Sequence, residues 1–218
     1  MRLHGLKICG ITSSQSACFC VEQGVGALGV VFYPPSPRNV SAGQAAEIFR
    51  CVPETVAKVG VFVNMPVEQI LQVAAEARLT SIQMHGNESN YDIQCALQAG
   101  YRVIKVLKSS GEKLLKKADN LPPQTGVMVE SASGLLPGGN GTAWEWAGAA
   151  ALSGKHDFAL AGGLAAANLL QAAAASGANA FDLSSAVESQ PGVKDHQKIL
   201  ELVAAATHLK CNQIFWRR

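Results

Sequence analysis

Polar residues alternate with apolar ones in four short segments that otherwise have the composition of buried β-strands. The alternating pairs are Lys7 and Cys9, Gln83 and His85, Met128 and Glu130, and Asp182 and Ser184. Residues two apart point to one face of a strand, so each pair shares a face while its apolar neighbours occupy the other. Because an unpaired buried charge is costly, the gathering of these groups near strand ends favours a catalytic mouth.

The chemistry of Cys9 depends on its surroundings. A free cysteine is often an inert core residue, and its thiol is weakly acidic unless a positive charge is near. Lys7 shares its predicted face and Gly10 follows it, which favours a catalytic thiol but leaves a packing role open. The remaining cysteines are predicted to be packing or surface residues, namely Cys18, Cys20, Cys51, Cys95 and Cys211.

Eight apolar, β-rich runs alternate with helical segments along the chain. The predicted strands are 6–11, 27–33, 57–63, 81–86, 102–108, 126–131, 158–163 and 180–185. The predicted helices include 41–51, 88–99, 194–209 and a segment that begins at Pro66. Eight such units average about 27 residues each, which predicts an α/β fold, a single-domain (β/α)8 TIM barrel over residues 1–218.

Two strand ends late in the chain have the composition of a phosphate site. Gly162 and Gly163 follow the seventh predicted strand, and Ser184 and Ser185 end the eighth. Phosphate groups bind in barrels at the loops after strands 7 and 8, where backbone N–H groups and a helix N-terminus favour an anion. A glycine turn and a serine helix cap are the structural alternatives.

Two further side chains are candidate ligand contacts. Arg38 follows three prolines in the loop after the second strand and could clamp a carboxylate. His85 is predicted to contact substrate or to be a satisfied polar residue, because no other histidine lies at a strand end to share a metal. The GxGxxG pattern at 24–29 ends a helix and enters a strand, so it is predicted to form a helix stop and a turn instead of a dinucleotide site.

Composition excludes several classes of partner. Hydrophobic residues make up 48% of the chain and charged residues 16%, with a formal net charge of +2. This charge is too small to predict a basic protein surface that binds nucleic acid or a membrane. With no long apolar run and no signal-peptide pattern, the protein is expected to be cytoplasmic, and its six cysteines are expected to be reduced thiols.

The chain resembles the phosphoribosylanthranilate isomerases of tryptophan biosynthesis over nearly its whole length. The segments that carry the likeness are 7–12 (KICGIT), 32–33 with 36–38, 59–64 (VGVFVN), 83–86 (QMHG), 137–139 (PGG), 161–164 (AGGL), 182–188 and 191–195. Each segment alone is a weak signal. Their order and spacing along eight βα units make coincidence implausible.

The resemblance implies an Amadori rearrangement that uses no metal and no cofactor. Cys9 matches the general base and Glu130 the position of the general acid, while Arg38 matches the contact to the anthranilate carboxylate. The glycine and serine loops match the phosphate site, and the remaining expected substrate contacts are Lys7, His85 and Asp182. The expected partner is a phosphorylated small molecule, bound by a monomer or a homodimer.

Three residues depart from the family pattern. Glu130 stands where the family has aspartate, Asn140 interrupts a glycine-rich loop, and Ala186 replaces a glycine beside the expected phosphate. Two alternatives to the isomerase therefore stay open. One is another phosphosugar enzyme, although a related histidine-pathway isomerase has aspartate at the position of Cys9 and a metal-dependent epimerase needs a His/Asp cluster. The other is a weakly active or non-catalytic barrel that binds phosphate ligands.

Overall fold

The computed structural model describes residues 3–108, 110–130, 145–209 and 215–217, and within them eight parallel strands close into a barrel. The strands are β1 (Leu3–Ile8), β2 (Val25–Phe32), β3 (Ala57–Phe62), β4 (Ser81–Met84), β5 (Arg102–Leu107), β6 (Gly126–Val129), β7 (Phe158–Ala161) and β8 (Ala180–Leu183). Each strand pairs with its neighbours in chain order, and β8 pairs with β1 through Asp182 opposite Lys7. The predicted (β/α)8 barrel is confirmed.

Helices cover the outside of the barrel, and some of them begin directly after the serine residues that cap them. They are α1 (Ser14–Glu22), α2 (Ala42–Ile48), α3 (Val67–Glu76), α4 (Asn90–Gln98), α5 (Gly111–Asp119), α6 (Leu169–Ser176) and α7 (His196–Ala206). Ser41 and Ser89 both form capping boxes, in which the serine hydroxyl accepts from the backbone three residues on. A 3-10 helix (Trp146–Leu152) precedes β7.

The segment after β8 differs from the prediction of one helix from residue 194. Glu188–Gln190 (β9) and Val193–Lys194 (β10) form a small antiparallel pair. The helix α7 begins only at His196, because the side chain of Asp195 accepts from the backbone of the first helical turn and caps it.

The two faces of the strands are buried in different surroundings, as the alternation predicts. Residues such as Ile8, Ile82 and Leu183 face the helices in one large apolar cluster. The inward-facing residues form a second cluster, made of Ala27, Ala57, Val59, Ile104, Val106, Met128, Ala159, Ala161 and Ala180 together with Phe215 and Trp216. The polar side chains that alternate with these outward-facing residues therefore point into the interior of the barrel.

The glycines at 24–29 have two different roles. Gly24 has φ +82 and follows the end of α1, as a helix stop requires. The predicted turn is present at residues 23–24, where the N–H of Gly24 donates to the carbonyl of Val21, whereas Gly26 and Gly29 lie inside β2. A Cβ at Gly29 would lie 2.9 Å from both Sγ of Cys9 and Cε of Lys7, so this glycine makes room for the first alternating pair.

The expectation that every cysteine is a reduced thiol is wrong for Cys18 and Cys51. These two residues form a disulfide between α1 and the 3-10 helix Phe49–Cys51, with their Cα atoms 5.9 Å apart. They are 33 residues apart in the chain, so only the packing of the two helices reveals the pairing. Cys9, Cys20 and Cys95 are free thiols, and Cys211 lies outside the described residues.

Within the described residues, no helix is long and apolar enough to cross a membrane.

Candidate active site

A cavity of about 330 Å³ opens at the C-terminal ends of the barrel strands. Nearly all of the site residues expected from the sequence line it, namely Cys9, Arg38, His85, Glu130, Gly162, Gly163, Asp182, Ser184 and Ser185. They come from βα loops or strand ends on six different strands, which is where barrels build their active sites.

Lys7 lies beneath this cavity and not in its wall. The side chain is fully buried, and its Nζ donates to Oε1 of Gln83 at 3.0 Å and lies 2.9 Å from Oδ2 of Asp182. Burial lowers the pKa of Lys7, but the negative charge of Asp182 and the neighbouring Cys9 raise it by more. In this structure the ammonium group of Lys7 contacts two residues of the cavity wall, Gln83 and Asp182.

Cys9 follows β1 and faces the same buried cation. Burial raises the pKa of the Cys9 thiol above its ordinary value, although the charge of Lys7 acts in the opposite direction. Its backbone is fixed from two sides, since its N–H donates to Leu183 and its carbonyl accepts from the hydroxyl of Ser184 at 3.0 Å. The thiol is therefore held at the cavity, where burial opposes its ionisation and the charge of Lys7 favours it.

Asp182 presents one free oxygen to the cavity. Its Oδ2 pairs with Lys7, whereas Oδ1 is buried without a hydrogen-bond partner in the structure. Burying an unsatisfied carboxylate oxygen is unfavourable unless a ligand completes it. Asp182 is therefore placed to accept a hydrogen bond from a hydroxyl or amine of a bound molecule.

His85 and Glu130 both line the cavity and contact each other. Nε2 of His85 lies 2.8 Å from Oε2 of Glu130, and both side chains are buried. Glu130 directly follows β6, and its backbone N–H donates to Leu107 on β5. The carboxyl group is thus held by its strand and by one imidazole partner, and it can exchange a proton with a ligand.

Arg38 already holds a carboxylate of the protein. Its Nε and Nη2 donate to Oε1 and Oε2 of Glu188 at 2.8 and 2.6 Å, and Nζ of Lys194 donates to Oε1 at 2.7 Å. Lys194 is itself buried and donates to the carbonyl of Ser184. The sequence predicted that the Arg38 guanidinium would clamp a ligand carboxylate. Its Nε and Nη2 groups are instead occupied by Glu188. The Nη1 side is left for a ligand.

The backbone of Gly10 explains how Arg38 comes so close to Cys9. Gly10 has φ +75, and a Cβ there would collide with Cδ of Arg38. Only glycine combines this backbone conformation with that approach.

The two loops predicted to bind phosphate are ordered by their own side chains. Gly162 and Gly163 both have positive φ, at +85 and +68. Asn168 fixes this turn, since its Nδ2 donates to the carbonyl of Gly163 and its Oδ1 accepts from the backbone of Ala165. Consecutive residues in such conformations turn backbone N–H groups toward a shared concavity that suits an anion.

Ala186 does not strain the neighbouring serine loop. It lies in a short 3-10 helix (Ser185–Val187) and is not among the described residues with positive φ. Replacement of the family glycine therefore carries no backbone penalty here. The segment with Pro137, Gly138, Gly139 and Asn140 lies outside the described residues.

Sequence reasoning missed three residues of this arrangement. Gln83 was placed on the correct face but not assigned to the site, and Glu188 and Lys194 were noticed only as parts of motifs. Alternation in β4 carried a signal for Gln83. No local pattern could pair Arg38 with Glu188, which is 150 residues away. In the described parts of the chain, no group of three or more His, Cys, Asp or Glu side chains is arranged to hold a metal ion.

Comparisons with known proteins identify the family of this chain. Residues 6–205 match the family model described as N-(5'phosphoribosyl)anthranilate (PRA) isomerase. A relative from Desulfatibacillum aliphaticivorans, named N-(5'-phosphoribosyl)anthranilate isomerase, is 41% identical over 93% of this chain and 92% of its own length.

Solved structures give the same result. A phosphoribosyl anthranilate isomerase from Thermotoga maritima superposes with a TM-score of 0.84 at 34% identity, covering 94% of this chain and 98% of that one. A phosphoribosyl anthranilate isomerase in complex with reduced 1-(o-carboxyphenylamino)-1-deoxyribulose 5-phosphate superposes with a TM-score of 0.82 at 33% identity, with the same coverage. By sequence and fold, this chain belongs to the N-(5'-phosphoribosyl)anthranilate isomerase family.

Proposed function

We propose that the cavity converts N-(5-phosphoribosyl)anthranilate to 1-(2-carboxyphenylamino)-1-deoxyribulose 5-phosphate through Cys9 and Glu130. The observation that carries this proposal is that the thiol of Cys9, the carboxyl group of Glu130, Arg38 and the glycine and serine loops all line one cavity. The reaction is an internal redox exchange, in which C2' of the sugar is oxidised as C1' is reduced. It needs no external oxidant or reductant.

Glu130 acts as the general acid in this scheme. Its carboxyl group gives a proton to the ribose ring oxygen, the C1'–O bond breaks, and the nitrogen lone pair forms a Schiff base. The hydrogen bond between His85 and Glu130 fixes the direction of the carboxyl group. This support compensates for the extra methylene relative to the family aspartate, since about 1 Å of misplacement can cost 100-fold in rate.

Cys9 acts as the general base at the opposite wall. Its thiolate removes the proton from C2', and the electron pair moves toward the Schiff base to give an enolamine, which tautomerises to the ketone. Because burial opposes ionisation of the thiol, the buried charge of Lys7 is the feature that makes a thiolate accessible. Asp182 offers its free oxygen to a sugar hydroxyl.

The two ends of the substrate bind on opposite sides of these groups. The phosphate binds at Gly162, Gly163, Ser184 and Ser185, and the anthranilate carboxylate binds at the Nη1 side of Arg38. The Nε and Nη2 contacts to Glu188 stay in place, so the substrate receives an arginine whose orientation is already fixed. We further propose that residues 1–218 act as one domain, as a cytoplasmic monomer or homodimer without nucleic-acid or membrane partners.

The test is the loss of anthranilate-ester fluorescence when the purified protein is mixed with substrate. Cys9→Ala and Glu130→Ala should each lower kcat by about 10²–10⁴, because each removes a proton-transfer group. Cys20→Ala is the matched control, since this buried cysteine of α1 lies away from the cavity and its pKa is raised to about 12. It should keep the wild-type rate.

Two results would contradict the assignment. If both alanine variants kept wild-type turnover, the acid and base would be other groups. If the reduced product analogue bound in calorimetry while wild-type turnover stayed at background, the barrel would be a phosphate-ligand binder and not this isomerase.

A further inference from the structure

The lower end of the barrel is filled by residues beyond the matched family range. Phe215 and Trp216 lie outside residues 6–205, yet each is only 1% exposed. Both belong to the cluster of inward-facing strand residues. A segment outside the matched range therefore supplies part of the core of this barrel.

Small residues in the strands create the space that this segment occupies. Ala27 pairs with Ala57 between β2 and β3, and Ala159 pairs with Ala180 between β7 and β8. Barrel interiors are usually packed with bulky branched side chains. Four alanines in this layer leave a volume that two aromatic side chains fill.

Polar contacts fix the two aromatic residues from several strands. Nε1 of Trp216 donates to the carbonyl of Gly5 on β1 at 3.0 Å, and the hydroxyl of Ser81 on β4 donates to the carbonyl of Trp216 at 2.7 Å. Nε of Arg102 on β5 donates to the carbonyl of Phe215 at 3.1 Å. These contacts therefore fix the position of the indole along the barrel axis and its orientation.

The face of this indole lies against the buried cation of the site. Nζ of Lys7 is 5.5 Å from the centre of the Trp216 ring, while its other contacts are Gln83 and Asp182. A cation above an indole face is attracted by the ring, and the attraction grows when water is excluded. The Phe215 ring instead faces the guanidinium of Arg102.

We propose that Trp216 is a positioning residue for the isomerisation, because its indole face holds the ammonium group of Lys7 beneath Cys9 and Asp182. Trp216 touches no reacting atom and acts only through Lys7. The inference rests on the proposed function, in which Lys7 supports the thiolate of Cys9. Without the indole, Lys7 gains alternative rotamers and its charge moves away from the thiol.

Three variants test the proposal. Trp216→Leu keeps an apolar side chain but removes the ring, whereas Trp216→Phe keeps an aromatic face. Phe215→Leu is the matched control, because it removes a ring of the same segment that faces Arg102 while the ring of Trp216 faces Lys7. Thermal unfolding should show both leucine variants to be folded but less stable than wild type.

The expected changes in kcat separate the positioning role of Trp216 from its contribution to the stability of the fold. Trp216→Leu should lower kcat by about 10-fold to 100-fold with KM changed by less than about twofold, since only transition-state support is lost. Trp216→Phe should recover most of kcat, and Phe215→Leu should keep it. Equal losses of kcat in the two leucine variants, or no loss in either, would overturn the proposal.

A second readout does not depend on turnover. The rate of Cys9 alkylation by iodoacetamide at a fixed mildly alkaline pH reports the thiolate fraction, with Cys9→Ser giving the background from other cysteines. The rate should fall in Trp216→Leu and not in Phe215→Leu, and equal rates in the two would contradict the role of the indole. If the rates separate while the wild type shows no isomerase activity, the proposed function fails but the placement of Lys7 by Trp216 stands.

Discussion

At the scale of single residues, the charges at the cavity are arranged in pairs before any substrate arrives. Lys7 pairs with Asp182, His85 with Glu130, and Arg38 with Glu188. Buried charges are tolerated only when paired or hydrogen-bonded, so each functional group carries a partner that also fixes its direction. The positions of these few coupled groups are therefore set before a ligand binds.

Glu188 provides a test of this pairing. Burial raises the pKa of Glu188, but its hydrogen bond to Arg38 and the charge of Lys194 lower it by more, so the pKa lies below its ordinary value of 4.5. A carboxyl group with a depressed pKa stabilises the fold above its ordinary pKa, and this stability is lost as pH falls through the folded-state pKa.

We therefore expect wild type to be more stable than Glu188→Gln at neutral pH, and the difference should shrink as pH falls below about 4.5. Urea unfolding over a pH series measures it. The control is Glu201→Gln, an exposed glutamate of α7, which should show no such pH-dependent difference. A gap between wild type and Glu188→Gln that stayed constant with pH would show that the carboxylate charge is not the stabilising feature.

At the scale of elements, the disulfide joins two helices that the chain order keeps apart. Cys18 on α1 and Cys51 after α2 close a loop with a sequence separation of 33. Such a link restricts the unfolded chain, and loops of this order contribute about 2–4 kcal/mol. The neighbouring Cys20 is buried, and its pKa is raised to about 12, so it does not compete as a thiolate.

Reduction should accordingly lower the free energy of unfolding by about 2–4 kcal/mol, measured by urea unfolding with and without a thiol reductant. The double variant Cys18→Ser with Cys51→Ser should have the same free energy of unfolding as the reduced wild type. Adding the reductant should not change this value. Thiol titration of the denatured wild type should reveal two additional thiols after reduction. An unchanged unfolding transition and an unchanged thiol count would mean that the pair is not bonded in solution.

At the scale of the whole molecule, the barrel is complete only when the C-terminal segment occupies its lower end. Phe215 and Trp216 pack against inward-facing alanines of the strands. They also form hydrogen bonds with residues of three strands, β1, β4 and β5. Replacing one buried aromatic residue by alanine typically costs about 3–5 kcal/mol, because a cavity is left behind.

Deleting residues 215–218 should therefore lower the free energy of unfolding by at least about 3–5 kcal/mol, as followed by circular dichroism in urea. Deleting only residues 217 and 218 is the control. Arg217 makes one exposed hydrogen bond to the carbonyl of Thr55, so this loss should stay within about 1 kcal/mol. Equal effects of the two deletions would show that the aromatic pair does not support the barrel.

The repeated strand and helix pattern was readable because it is local. Alternation in each strand depends on residues two apart, and helix starts depend on caps such as Ser41 and Ser89, so short windows of sequence contain the necessary information. The predicted strand ends ran one to three residues too far, and after β4, β6 and β8 the reason is that His85, Glu130 and Ser184 continue the alternation of the strand.

The sequence by itself determined the barrel, the faces of its strands and the strand ends at which Cys9, Glu130 and Asp182 lie. Only the tertiary structure decided which groups meet: Glu188 with Arg38, Cys18 with Cys51, and Trp216 with Lys7. The physical reason is that strand and helix patterns arise from interactions between near neighbours. Ion pairs, disulfides and core contacts between distant segments form only after the closed barrel brings those segments together.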